Sequence, residues 1–294
     1  MAMETGRSTL AGVAMMVGAM AVLPFLDVVA KTLGQQGVPV LQIVWARMAM
    51  GTLMTIPLAL RVAGPRGLLP ERLGVHSLRA ALLIAATFCF FFALKFLPIA
   101  DALAVFFVNP LVITALSPVI LGERVGPRRW AAVAVGFVGT LIIIRPGFQA
   151  FNPGMGLALA AGCCLALYFL LTRRIAGRDD AMVTTFRTSL LGTVMVSAVV
   201  WLVWQAPTPE QWLLFLALGV TSTLGHGLIV MAYDRAEASL LAPLAYTEMV
   251  MAVILGWWFF GDFPDGWTFF GVSVLIGCAL YISARERVVK QGGA

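Results

Sequence analysis

The sequence predicts an all-α integral membrane protein with ten transmembrane helices arranged as a five-plus-five inverted repeat. Three observations carry this. Hydrophobic residues make up 61% of the 294-residue chain and charged residues 12%, against about 45–50% and about 25% in soluble domains. A helix that crosses a bilayer takes about 20 apolar residues, so a chain of this length with short loops holds ten. The third observation is a segment that occurs twice in altered form, at Leu121 to Thr140 and at Phe260 to Cys278. Alternation over ten-residue segments, which a membrane β-barrel needs, is absent.

Proline, glycine and charge clusters punctuate the apolar runs. They place the spans at 8–30, 40–60, 76–95, 100–121, 128–145, 154–172, 182–204, 210–232, 237–260 and 266–284. The first, behind Arg7, is too long for the apolar part of a signal peptide and shows no convincing small-x-small cleavage site, so it is expected as a span. Arg61, Arg66 and Arg72 separate the second from the third. The fourth ends at Gly122-Glu123, and Arg128 and Arg129 start the fifth. Arg173, Arg174 and Arg178 divide the sixth from the seventh, and Arg235 follows the eighth. The ninth ends at Gly261-Asp262, and the tenth runs to Arg285 and Arg287. Glycine and alanine along the spans favour close helix–helix approach.

Loop cations set the direction. With the N-terminus inside, fifteen lie on inside segments, Arg79 among them, and only Lys31, Lys95 and Arg145 outside. Cytoplasmic loops carry the excess of Lys and Arg, so both termini are expected in the cytoplasm, with the protein in a plasma membrane and bounded by lipid. The two Gly-acid loops are 139 residues apart and follow spans four and nine. Five spans is an odd number, so the second copy runs inverted. Its loop is anionic (Asp262, Asp265) where the first is cationic (Arg124, Arg128, Arg129). The repeats are 8–146 and 154–284. Many secondary transporters build two exchangeable conformations around one midplane site in this way.

Two stretches resemble a known family: LGERVGPRRWAAVAVGFVGTLIIIRPG, Leu121 to Gly147, and APLAYTEMVMAVILGWWFFGDFPDGWTFFGVSVLIGCALYI, Ala242 to Ile282. They are similar to the ends of the first and second EamA units of the drug/metabolite transporter superfamily. The resemblance implies ten helices in a five-plus-five inverted repeat that moves small metabolites without ATP hydrolysis. Within the superfamily the chain looks most similar to the YddG-like bacterial amino-acid exporters.

Eighteen of the twenty cations are expected in loops or at span ends; the other two, Arg47 and Arg187, lie inside spans two and seven at equivalent places. An arginine at the bilayer centre costs about 2.5–3.5 kcal/mol on an insertion scale, so it needs a reason. Each could clamp a substrate carboxylate or gate the site; each could also snorkel to the nearer surface or pair with an acid. Glu248 and its repeat counterpart Asn109 stand at mid-membrane near Pro243 and Pro110. Prolines there free backbone carbonyls that a cavity can satisfy. Glu248 could bind a substrate ammonium or carry a proton, which makes the proton a candidate coupling ion, or it could bond a neighbouring helix. Asp27 is a candidate or a solvated cap, and His226, between two glycines, a candidate or a packed core residue. Trp45, Tyr168, Tyr246, Phe88 and Phe92 could line an amphiphilic cavity or simply pack.

The net charge of +6 does not imply nucleic acid, because the cations lie singly or in threes between apolar runs. Cys89, Cys163, Cys164 and Cys278 lack CxxC spacing, and neither a metal nor a cofactor is expected. HExxH, GxSxG and a P-loop are absent. Asp234 and Asp262 resemble the pair of an intramembrane aspartyl protease, but the topology sets them about 30 Å apart. A channel would need a ring of polar groups around a continuous pore. The reading is a metabolite exporter, for amino acids first; the alternatives are a carrier of another amine- or carboxylate-bearing metabolite (a nucleotide derivative, a drug-like amphiphile), a channel and an enzyme.

Overall fold

In the computed structural model, the described residues are 2–68, 72–122, 126–144, 152–175, 181–233, 235, 241, 244 and 247–291. Among them the chain is helical, with no strand. The helices are α1 (Ala2–Gln35), α2 (Val40–Gly67), α3 (Leu73–Ala93), α4 (Ile99–Phe106), α5 (Asn109–Leu121), α6 (Pro127–Ile144), α7 (Pro153–Arg174), α8 (Ala181–Val200), α9 (Pro209–Tyr233), α10 (Thr247–Phe260) and α11 (Gly266–Gln291). Seven stretches are long and apolar enough to cross a membrane, one of them α4 and α5 together; Val133–Ile144, Thr247–Phe260 and Gly266–Cys278 are shorter apolar helices. Helix is forced by the solvent: in hydrocarbon every backbone polar group must be satisfied within the protein.

Two helix breaks position the site. The expected span 100–121 is interrupted at Phe107 and Val108. Pro110 lacks an N–H, which is tolerated in the first turn of a new helix but not within a continuing one. Asn109, the first residue of α5, covers part of the break by donating its amide to the Phe106 carbonyl at 3.1 Å. In the other half, α10 starts at Thr247, ten residues later than the expected span. Pro243 and most of the preceding stretch lie outside the described residues, as do Tyr246, Glu123, Arg145, Arg178 and Asp234.

The two Gly-acid motifs cap helices alike. Gly122 and Gly261 both have φ 71°, a left-handed conformation in which a Cβ is strained, so glycine ends each helix cleanly. Gly162 of α7 meets the α4–α5 break: a Cβ there would stand 2.7 Å from the Phe106 carbonyl oxygen. Gly162→Val is expected to push α7 off the break and lower the melting temperature of the detergent-solubilised protein by several degrees, about 1–3 kcal/mol of overpacking. An unshifted melting curve would remove this account.

The principal packings are α1 on α9, α2 on α8, α3 on α7 and α6 on α11; α7 also meets α4 and α5, and α1 meets α10. Exchanging the first five spans for the last five turns this set of neighbours into itself. Hydrogen bonds gather the chain's turns at one end. Lys31 in the last turns of α1 reaches the Leu97 carbonyl after α3 (3.3 Å) and the Asp262 carboxylate after α10 (2.7 Å). Asn152, which caps α7, donates to the Phe96 carbonyl at 3.3 Å. Gln42 of α2 donates to the Gln205 carbonyl after α8 at 2.8 Å. At this Asp262 end, therefore, α1, α3, α8 and α10 finish and α2, α4 and α7 begin.

Candidate substrate site

The interior is built on α2. Its residue Arg47 donates from Nη1 to the Thr87 hydroxyl on α3, with the guanidinium carbon 6.0 Å from the centre of the Phe91 ring. Arg47 is half-buried, and its charge is felt by Asp27 on α1, Tyr168 on α7 and His226 on α9. Asp27, 6% exposed, in turn interacts with the Glu248 carboxyl in the first turn of α10. Five helices thus contribute a guanidinium that interacts with a carboxyl group, an imidazole and a phenol, and a second carboxyl group that interacts with the first.

Local structure aims these groups. His226 Nδ1 lies 2.9 Å from the Ser222 carbonyl; a carbonyl can only accept, so Nδ1 carries the hydrogen and Nε2 is the nitrogen left for a ligand. The Tyr168 hydroxyl accepts from Arg79 Nη2 at 3.3 Å, and the Arg79 guanidinium lies 5.1 Å from the Tyr168 ring centre. Arg79 Nε donates to the Thr172 hydroxyl at 3.0 Å. Glu248 stands near the start of α10, where the unpaired N–H groups of a helix end favour negative charge.

Of the residues singled out from sequence, Asp27, Arg47, Tyr168, His226 and Glu248 come together. Trp45 lies two residues from Arg47, about 200° around the helix. It faces elsewhere, with its indole N–H on Ser197 Oγ of α8 at 2.8 Å and its ring edge-on to Trp204 at 5.1 Å. Asn109 serves the helix break. Arg187 is buried in α8, which packs on α2 and α3. Phe88 and Phe92 stack on each other with centres 5.8 Å apart. Tyr246 falls outside the described residues.

Three participants were not singled out from sequence: Arg79, Thr87 and Phe91. Arg79 is a correction, since its place beside a basic loop suggested a surface cation. It is 1% exposed, within α3 and held by two side chains of α7. The one available signal was its distance from Arg72, seven residues into apolar sequence.

The arrangement sets one cation, Arg47, near the Asp27 carboxyl group, which in turn neighbours that of Glu248, with Tyr168 and Phe91 beside the guanidinium. Among the described residues no group of three or more His, Cys, Asp or Glu is placed to hold a metal.

A family model described as the EamA-like transporter family matches the chain twice, over residues 9–145 and 152–284. A riboflavin transporter of Vibrio cholerae is 28% identical, covering 86% of this chain and 85% of its own. An S-adenosylmethionine uptake transporter of Rickettsia bellii is 26% identical over 89% of each chain. A pseudopaline exporter of Pseudomonas aeruginosa is 27% identical, over 85% of this chain and 88% of its own. One crystal structure superposes with a TM-score of 0.66 at 23% identity, covering 97% of this chain and 99% of the other, a likeness of fold.

Proposed function

The chain belongs to the EamA-like transporter family, and on that premise we propose that it is a secondary transporter exporting small amino-acid-like metabolites by alternating access. The observation that carries the substrate class is the nearness of Arg47 to Asp27, and of Asp27 to Glu248, in the interior. Opposite charges fixed at one place suit the two ends of an α-amino carboxylate. The relative that takes up S-adenosylmethionine fits this class, because that metabolite ends in an α-amino carboxylate. The narrower likeness to amino-acid exporters is part of the same proposal.

The architecture we infer is ten spans in two inverted units, 8–146 and 154–284. It is supported by the two family matches, by the neighbour set that maps onto itself, and by α1 ending where its counterpart α7 begins. The excess of cations on alternate loops supports cytoplasmic termini in a bacterial inner membrane. A cysteine at Gly126 should then react only with permeant reagents in intact cells; reaction with an impermeant one would reverse the orientation.

The deciding experiment is counterflow into proteoliposomes with labelled amino acids, S-adenosylmethionine, riboflavin, nucleosides and sugar phosphates, with and without a pH gradient. Exchange of α-amino carboxylates in preference to the others is expected. Preference for riboflavin or a sugar phosphate would overturn the substrate class, and passage without counterflow would favour a channel.

A further inference from the structure

Lys31 is the meeting point of three elements at the Asp262 end. Its ammonium holds Asp262 Oδ2 at 2.7 Å and the Leu97 carbonyl at 3.3 Å, and lies 4.7 Å from the centre of the Phe260 ring. The Lys31 side chain is 10% exposed and that of Asp262 30%. A lone exposed ion pair contributes little. Here one partner is nearly buried, held by a carbonyl and an aromatic face as well as by the acid. Lys31 and Leu97 belong to the first family match, Phe260 and Asp262 to the second. The contact therefore ties one half of the protein to the other across 231 residues of sequence.

Beside this contact lies a cavity of about 430 Å³ lined by Lys31, Gln35, Phe91, Lys95, Phe96 and Asp262, among others. Phe91 borders the cavity and also stands against the Arg47 guanidinium. Phe91, itself 4% exposed, therefore stands against both the cavity at the Lys31–Asp262 pair and the Arg47 guanidinium.

We propose that Lys31 and Asp262 form the gate of the interior site on the Asp262 face. With the pair made, α1 and the segment after α10 are held together above Phe91, and the Arg47 cluster is sealed from that face. Opening parts the two halves and separates the pair; closure remakes it. Both are positioning residues, which act on access and do not touch the solute. The proposal rests on the carrier reading, because a gate has work to do only where the site is exposed to the two faces in turn.

The test measures access without needing the substrate. Cys89, Cys163, Cys164 and Cys278 are replaced by alanine and Thr87, 3% exposed beneath Phe91, by cysteine. An impermeant thiol reagent is then applied from the Asp262 face. Asp262→Asn and Lys31→Gln should each speed labelling about tenfold by shifting the population toward the open form. Lys31→Arg should label like the parent. The charge exchange Lys31→Asp with Asp262→Lys should return the rate to within about twofold, as expected for residues coupled to each other. Unchanged labelling in the neutral variants, or a charge exchange as fast as they are, would overturn the gate. Monodisperse elution is required of every variant, and either neutral substitution carries the test if the other misfolds. A failed labelling result leaves the carrier reading standing, whereas a chain that exchanges no solute in the panel overturns that reading whatever its labelling.

Discussion

Arg47→Ala is expected to lower substrate counterflow about 100-fold, because a hydrogen bond to a charged group contributes about 1.5–3 kcal/mol. Two effects add. On the proposed reading the substrate carboxylate loses its donor, and Asp27 loses the cation whose charge it feels. Arg47→Lys separates the two. Lysine keeps the charge but has no planar fork to hold Thr87 and a carboxylate together, so a loss of about tenfold is expected, mainly in KM. A lysine variant that transports like the parent would show that Arg47 acts as a charge alone. A variant that elutes as aggregate would indicate a packing role, in keeping with its contact with Phe91.

We propose Glu248 as the carrier of a coupling proton, and on that reading Glu248→Gln should uncouple transport from the proton gradient. The substitution keeps the size and the hydrogen-bonding reach of the side chain but removes the site at which a proton can be gained and lost. Accumulation driven by an imposed pH gradient is expected to vanish. Downhill exchange at equal pH should persist, lowered about 10- to 150-fold, since one charge-assisted hydrogen bond to an ammonium is lost, about 1.5–3 kcal/mol. Gradient-driven accumulation equal to that of the parent would remove Glu248 from coupling. Loss of exchange with the gradient response intact would assign it to substrate binding only.

Much of the fold was legible because membrane spans are written in local composition. Each apolar run, its flanking cations and the two Gly-acid caps can be read within a window of about 20 residues. Gly122 and Gly261, with φ 71° each, stand where the repeated motif put them. What escaped was set by contacts between distant segments. The interruption of the fourth span at Phe107 required more than Pro110, since membrane helices often keep a proline; Gly162 and Asn109 make the break habitable. Arg79 looked like part of a basic loop, and only the packing of α3 on α7 takes it inside. Trp45 was expected among the cavity aromatics, but a helix turns about 100° per residue, which sends it to other neighbours than Arg47 two residues on. The tie between Lys31 and Asp262 leaves no local trace at all.

The pattern of packing also bears on how the protein is made. The principal partner of α1 is α9, that of α2 is α8, that of α3 is α7 and that of α6 is α11. During synthesis the early helices enter the bilayer long before these partners exist, so their small-residue faces wait against lipid or against chaperones. Assembly of such distant contacts is a late step in biogenesis. A ribosome that stops after residue 150 has produced five hydrophobic segments but little of the final packing. Expressed apart, neither 1–150 nor 151–294 should resist proteolysis; expressed together from separate messages, the two fragments should protect each other.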